Sequence, residues 1–170
     1  ILTMRNLLAL LSLFISIHVY GQKEVKIYYN SQWEITSPDS IYSYVRVASV
    51  GTLTGNFVGT VKDYGTSGIL IMTGGYLDSR EEGLFTYYYE NGKIERVGNY
   101  SNGLRKGIWK YYYPDGKPLQ EVGFGADEEY KINYMYDSAR NKILDNGTGT
   151  WYSIYEEYEV PGKVILSGGF

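Results

Sequence analysis

Cysteine is absent from the 170 residues, and histidine occurs once, at His18. The first absence excludes disulfides, thiolate metal sites and cysteine nucleophiles. His18 lies in a segment expected to be removed on export, so the mature chain is expected to carry no histidine. Ser-His triads and histidine-ligated zinc are excluded with it. Proline is scarce, at 4 residues, and neither sign of charge dominates, with 16 Lys+Arg against 19 Asp+Glu. A nucleic-acid binder is normally basic, so this balance argues against one. The length is too short for a large multidomain enzyme and sufficient for one domain with a modest core. What abounds is glycine, at 21 residues, and tyrosine, at 20, both well above ordinary usage.

Arg5 is the only charge among the first 22 residues, and residues 7–19 are apolar apart from Ser12, Ser16 and His18. At a rise of ~1.5 Å per residue this run spans about 20 Å, short of the ~30 Å hydrocarbon core of a bilayer. It reads as the helix of a signal peptide, with Met4 as the start, residues 1–21 removed and cleavage before Gln22. The product is expected to be periplasmic or secreted, with no stable membrane anchor. Without cysteine it cannot be a lipoprotein.

The centre of the chain repeats with a period of 24. Gly59, Gly83 and Gly107 share it, as do Gly68, Gly92 and Gly116, and Tyr76, Tyr100 and Phe124. Val61, Phe85 and Trp109 follow the same spacing, and so do Tyr64, Tyr88 and Tyr112. A periodicity of this length indicates a repeat architecture. The repeats occupy 59–124. A stretched fourth copy is expected over 149–170, where Gly149 and Trp151 match Gly107 and Trp109. Residues 125–148 are set aside as an insertion, and 22–58 as a β segment that caps the first repeat. Repeat arrays need such caps, because an open end exposes an apolar face and a free edge.

Each repeat reads as a β-hairpin. Residues 85–89 and 109–113 are dense in aromatic side chains, which favour strands. Asn91-Gly92 and Asp115-Gly116 follow, dipeptides that supply the positive φ angles of tight hairpin turns. A second strand is expected over 94–100 and 119–124, with a return turn at Ser101-Asn102-Gly103. Alternation places Phe85, Tyr87 and Tyr89 on one face, with Trp109, Tyr111 and Tyr113, while Tyr88 and Tyr112 point the other way. Recurring glycines such as Gly83 and Gly107 are expected to permit close backbone approach or bending. The fold expected is all-β: an elongated antiparallel meander of hairpins.

The units Gly-Leu-Phe-Thr-Tyr-Tyr-Tyr-Glu-Asn-Gly-Lys from Gly83 and Gly-Ile-Trp-Lys-Tyr-Tyr-Tyr-Pro-Asp-Gly-Lys from Gly107 closely resemble the MORN-repeat variant of bacterial proteins, often labelled antitoxin-like. The resemblance covers 59–124 well and 149–170 more loosely. It implies the fold and says little of function. Some exported relatives add a TonB-like energy-transducer domain, for which there is no counterpart in this sequence. Eukaryotic namesakes suggest membrane-lipid contact or scaffolding, but no basic face supports lipid binding in this chain.

Candidate chemistry is sparse. Paired carboxylates are the only catalytic set left, and Asp127-Glu128-Glu129 and Glu156-Glu157-Glu159 both lie near aromatic residues. A retaining glycosidase needs two carboxylates about 5–5.5 Å apart across a sugar site, and consecutive loop acids read instead as solvated charge. The first set lacks EF-hand spacing, so no metal is assigned, and no cofactor is expected. Gly92-Lys93 and Gly116-Lys117 belong to hairpin turns, not a phosphate loop. The remaining candidates are Tyr87, Tyr88, Tyr89, Tyr111, Tyr112 and Tyr113. Either they cover a thin sheet or they form a ligand platform, and pattern alone does not separate the two. The expected function is that of a non-enzymatic exported module. It would bind a protein or an envelope polysaccharide through a tyrosine-rich sheet, with strand addition at a free edge. The sheet is expected to continue past Phe170, in a longer chain or against a partner strand. An immunity-type partner of a toxin is one alternative, and a carbohydrate-active enzyme using the acidic loops is another.

Overall fold

The computed structural model describes residues 21–126, 129–156 and 163–169. Residues 1–20, which hold nearly all of the expected signal peptide, lie outside them, as do Asp127, Glu128, Glu157, Glu159 and Phe170. The described residues form one antiparallel sheet of fourteen strands and no helix. The strands are β1 (Gln22–Tyr29), β2 (Ile35–Thr36), β3 (Tyr44–Gly51), β4 (Phe57–Gly65), β5 (Leu70–Leu77), β6 (Arg80–Glu81) and β7 (Gly83–Tyr88). They continue with β8 (Ile94–Ser101), β9 (Leu104–Tyr112), β10 (Pro118–Phe124), β11 (Tyr130–Tyr136), β12 (Lys142–Asp145), β13 (Thr148–Glu156) and β14 (Lys163–Gly169). From β3 onward the sheet order follows the chain. The short β6 pairs only with β5, and β1 lies between β2 and β3. This is the antiparallel meander that the repeat pattern predicts.

The hairpins β4–β5, β7–β8, β9–β10 and β11–β12 share one turn. Gly68, Gly92, Gly116 and Arg140 each donate their N–H to the carbonyl three residues back, at Gly65, Tyr89, Tyr113 and Asp137. All four donors have positive φ, between 72° and 87°. Only the fourth residue of the turn takes the left-handed conformation; Asn91 and Asp115 do not. Their side-chain oxygens instead accept the N–H of Lys93 and Lys117, at 3.0 and 2.9 Å. This is the local side-chain hydrogen bonding that makes Asx residues turn formers. The turns with two positive φ values are the return turns: Asp78-Ser79, Asn102-Gly103 and Asn146-Gly147.

Residues 125–148, set aside above as an insertion, continue this geometry. Each hairpin skips one residue just after its turn, and the skipped positions are again 24 apart. Asp63 faces Met72 but Tyr64 faces Leu70, and Tyr87 faces Arg96 but Tyr88 faces Ile94. In the same way Tyr111 and Tyr112 face Gln120 and Pro118, while Met135 and Tyr136 face Leu144 and Lys142. A one-residue bulge bends a strand and raises its twist, and here it recurs in all four of these hairpins. Apart from Tyr136, the consensus side chains are lost over 125–148, but the backbone plan is kept.

A sheet without a second layer must bury its rings within one face. Phe85 lies over Gly74 and Trp109 over Gly98. A Cβ built on either glycine would come within 2.2–2.4 Å of the ring. Along this face Phe57, Tyr76, Phe85, Tyr100, Trp109 and Phe124 meet in sequence edge to face, with centroids 4.8–6.3 Å apart. Such contacts contribute about 0.5–1.5 kcal/mol each beyond area burial. Trp109 and Val61 are fully buried and Phe85 nearly so. Where the pattern changes, both members change: Val122 replaces the glycine, and Ile132 faces it instead of a ring. Gly59, Gly83 and Gly107 have another role. Their φ angles are 74°, 81° and 67°, and open space surrounds a Cβ built on each. They permit a left-handed bend where the strand register shifts, not close approach.

Candidate interaction surface

The two faces of the sheet differ in kind. On the ring-packed face, Tyr111 is buried against Trp109, and the Arg96 guanidinium sits 3.6 Å from the Tyr87 ring centroid. Tyr89 donates its hydroxyl to the Tyr112 carbonyl at 2.7 Å, and Tyr113 donates to the Tyr136 carbonyl at 3.0 Å. These bonds join successive hairpins, and Asn91 adds another by donating to the Pro114 carbonyl at 2.8 Å. Of the six candidate tyrosines, Tyr87, Tyr89, Tyr111 and Tyr113 therefore hold the array together. Tyr88 and Tyr112 lie half-buried on the opposite, outer face.

There they belong to a longer row. Directly opposed residues in an antiparallel pair share a face. Tyr28 opposes Val45, and Val45 opposes Tyr64. Tyr64 opposes Leu70, Tyr88 opposes Ile94, Tyr112 opposes Pro118, and Tyr136 opposes Lys142. The result is a strip across the outer face, from Tyr28 to Tyr136, with a tyrosine on every second strand. With neighbouring strands ~4.7–4.9 Å apart, successive tyrosines stand about 9.4–9.8 Å from one another. Two residues earlier on the same strands, and on the same face, stand Lys26, Lys62, Thr86, Lys110 and Tyr134. Leu84 and Ile108, one period apart, expose 59% and 45% of their surface there. Tyr136 lies 24 residues beyond Tyr112, so its signal was present in the sequence but fell inside the segment set aside as an insertion. Tyr28 stands outside the period and only strand pairing places it.

The strongest charge pair lies on the ring-packed face, where β3 of the leading segment meets β4 of the first repeat. Arg46 binds Asp63 through two hydrogen bonds of 2.8 Å, and Asp63 is only 1% exposed. The guanidinium also sits 5.6–5.7 Å from the rings of Tyr29, Phe57 and Tyr76. Burial opposes the Arg46 charge, but the Asp63 carboxylate outweighs it, so the guanidinium holds its proton more firmly than usual. Burial raises the Tyr76 hydroxyl above its ordinary pKa, against the lowering effect of Arg46. On the outer face, burial and then nearby Glu121 raise Tyr134. Among the described residues no group of three His, Cys, Asp or Glu is arranged to hold a metal ion. No helix among them is long and apolar enough to cross a membrane.

Residues 81–102 and 105–124 match the family profile of the MORN repeat variant. These two segments are MORN-variant repeats. They correspond to β6 to β8 with its return turn, and to β9–β10. MORN repeats generally serve as protein- or membrane-interaction modules. No curated protein and no solved structure matches the chain. In the MORN-variant segments the Tyr-Tyr-Tyr triplet thus divides its labour. The first ring packs the face, the third ties one repeat to the next, and the middle one faces outward.

Proposed function

We propose that this chain is a non-enzymatic, exported interaction module and that its ligand surface is the outer tyrosine strip. The observation that carries the reading is the asymmetry of the faces. Rings, glycine seats and inter-repeat hydrogen bonds fill one face. The other presents Tyr88, Tyr112, Leu84 and Ile108 at repeat spacing, with nothing stacked on them among the described residues. Aromatic side chains with a polar tip suit surfaces that are wet when free and dry when bound. The partner is a protein or an envelope polysaccharide, and the outermost strands offer a second route by strand addition.

Capture from envelope extract tests the surface. A partner retained by the wild type and by Tyr89→Phe, but lost with a folded Tyr88→Ala/Tyr112→Ala variant, supports it. Equal retention by both variants refutes it. For export, the mass of the protein recovered from the periplasm or medium should begin at Gln22, and an intact N-terminus there would refute cleavage.

A further inference from the structure

The outer strip also carries information about the shape and charge of its occupant. We propose that it is a docking track for an extended, acidic, proline-rich segment of a partner protein, bound in the polyproline II conformation. This rests on the reading that the strip is the ligand surface.

Three observations lead there. The first is pitch. A polyproline II helix has three residues per turn at ~3.1 Å each, so one of its edges recurs every ~9.3 Å. The strip repeats its tyrosines every second strand, about 9.4–9.8 Å apart. Every third residue of such a segment, laid across the strands, meets an equivalent ring. The second is lining. Between the tyrosines lie Val45, Leu70, Ile94 and Pro118, giving apolar valleys between aromatic ridges. Aromatic-lined grooves hold polyproline II segments, whose conformation is set before binding and so loses little entropy. A ligand in this conformation makes no ladder hydrogen bonds and needs no sheet edge.

The third is charge. Lys26, Lys62 and Lys110 are exposed, each two residues before a tyrosine of the strip. Strands β1, β4 and β9 run in the same direction, so these lysines line one side of it. Among the described residues none of the three joins an ion pair. Of the carboxylates on the same face, Glu121 is engaged with Asn133 at 3.0 Å and Asp145 with Lys142 at 3.3 Å, while Glu24 stands exposed beside Lys26 on β1. The flank of the strip is thus mainly positive, with a lysine on three of its five tyrosine-bearing strands, and it complements acidic residues of the ligand.

The test is fluorescence polarisation on the full mature chain with a labelled (Pro-Pro-Glu)6 peptide. At ~3.1 Å per residue that peptide exceeds the ~38 Å from Tyr28 to Tyr136. (Pro-Pro-Lys)6 and (Gly-Ser-Glu)6 serve as controls. The expected result is saturable binding of the first peptide alone, weakened by added salt. It should fall at least about tenfold in Tyr88→Ala/Tyr112→Ala and again in Lys62→Glu/Lys110→Glu, where only exposed residues change. Far-ultraviolet circular dichroism checks that both variants keep the fold. Equal binding of (Gly-Ser-Glu)6 would reduce the effect to charge and overturn the proposal. So would equal binding of (Pro-Pro-Lys)6, or no binding of any peptide. Polygalacturonate separates the two levels of inference. If it binds and is lost with Tyr88→Ala/Tyr112→Ala while (Pro-Pro-Glu)6 does not bind, the strip is a ligand surface for an acidic glycan and only the peptide proposal fails. If neither (Pro-Pro-Glu)6 nor polygalacturonate binds and that variant retains every envelope partner, the strip reading itself fails.

Discussion

Replacing Gly98 by alanine places a methyl group 2.2 Å from Trp109 Cδ2 and 2.4 Å from Cγ and Cε2. Ordinary contact begins near 3.4 Å, so ring and strand must separate by about 1.2 Å. Trp109 has nowhere to go. It is fully buried, with the rings of Tyr87, Tyr100, Tyr111 and Phe124 at 5.0–6.5 Å. Its indole N–H donates to the Asn99 carbonyl at 3.1 Å. Overpacking of this kind costs about 1–3 kcal/mol, and losing the indole hydrogen bond adds about 0.5–1.5 kcal/mol. The expected loss is about 2–4 kcal/mol, read as a fall in the urea midpoint with unchanged slope. The cause is isolated by repeating the substitution in a Trp109→Leu background. There the seat is empty, and Gly98→Ala should be neutral or stabilising by up to about 1 kcal/mol through the unfolded chain. Equal costs in the two backgrounds, within about 0.5 kcal/mol, would show no coupling between the two positions and refute the ring-seat account.

Asp63→Asn should destabilise by about 3–5 kcal/mol, because it leaves the Arg46 cation buried without its counter-charge. The double change Arg46→Met/Asp63→Leu should recover most of that loss in chemical denaturation. Tyr89→Phe and Tyr113→Phe should each cost about 1 kcal/mol by losing a hydroxyl donated to the next hairpin, with no change in far-ultraviolet circular dichroism. The raised Tyr76 pKa means the folded state holds that proton after the unfolded state has released it. Its contribution to stability is complete below the unfolded value near 10 and declines as pH rises above it. Thermal melts across alkaline pH should show a component of the loss absent from Tyr76→Phe.

The period of 24 made the hairpins legible, because the same turn residues recur wherever the chain reverses. The distinct jobs of the glycines were less so. Gly59, Gly83 and Gly107 were expected to allow close approach or bending, and the structure uses them for bending alone. The close approaches fall to Gly74 and Gly98. Those two also lie 24 apart, and their signal, a glycine two residues before Tyr76 and Tyr100, was readable in the sequence. The fourth hairpin was hidden because its backbone plan persists without its consensus: Arg140 stands where glycine stood, and Met135 where tyrosine stood. Alternation put Tyr88 and Tyr112 on the correct face. It could not show that Tyr89 and Tyr113 spend their hydroxyls on the next repeat, since that contact depends on how hairpins stack. The Arg46–Asp63 pair had no sequence signature, because it joins two strands through a register that local pattern does not encode.

The placing of rings and seats bears on how such a chain lengthens. Phe85 of one hairpin rests on Gly74 of the hairpin before it, and Trp109 rests on Gly98 in the same way. The β7–β8 hairpin thus brings a plug for its predecessor, Phe85, and a socket for its successor, Gly98. Duplicating that 24-residue unit in the gene therefore yields a matched joint on both sides at once, whereas an insertion whose length is not a multiple of 24 strands a ring above a residue that has a Cβ. The array is thus free to grow or shrink in whole hairpins. Each hairpin gained adds one more tyrosine to the outer strip, so reach along a partner becomes a matter of copy number instead of new design.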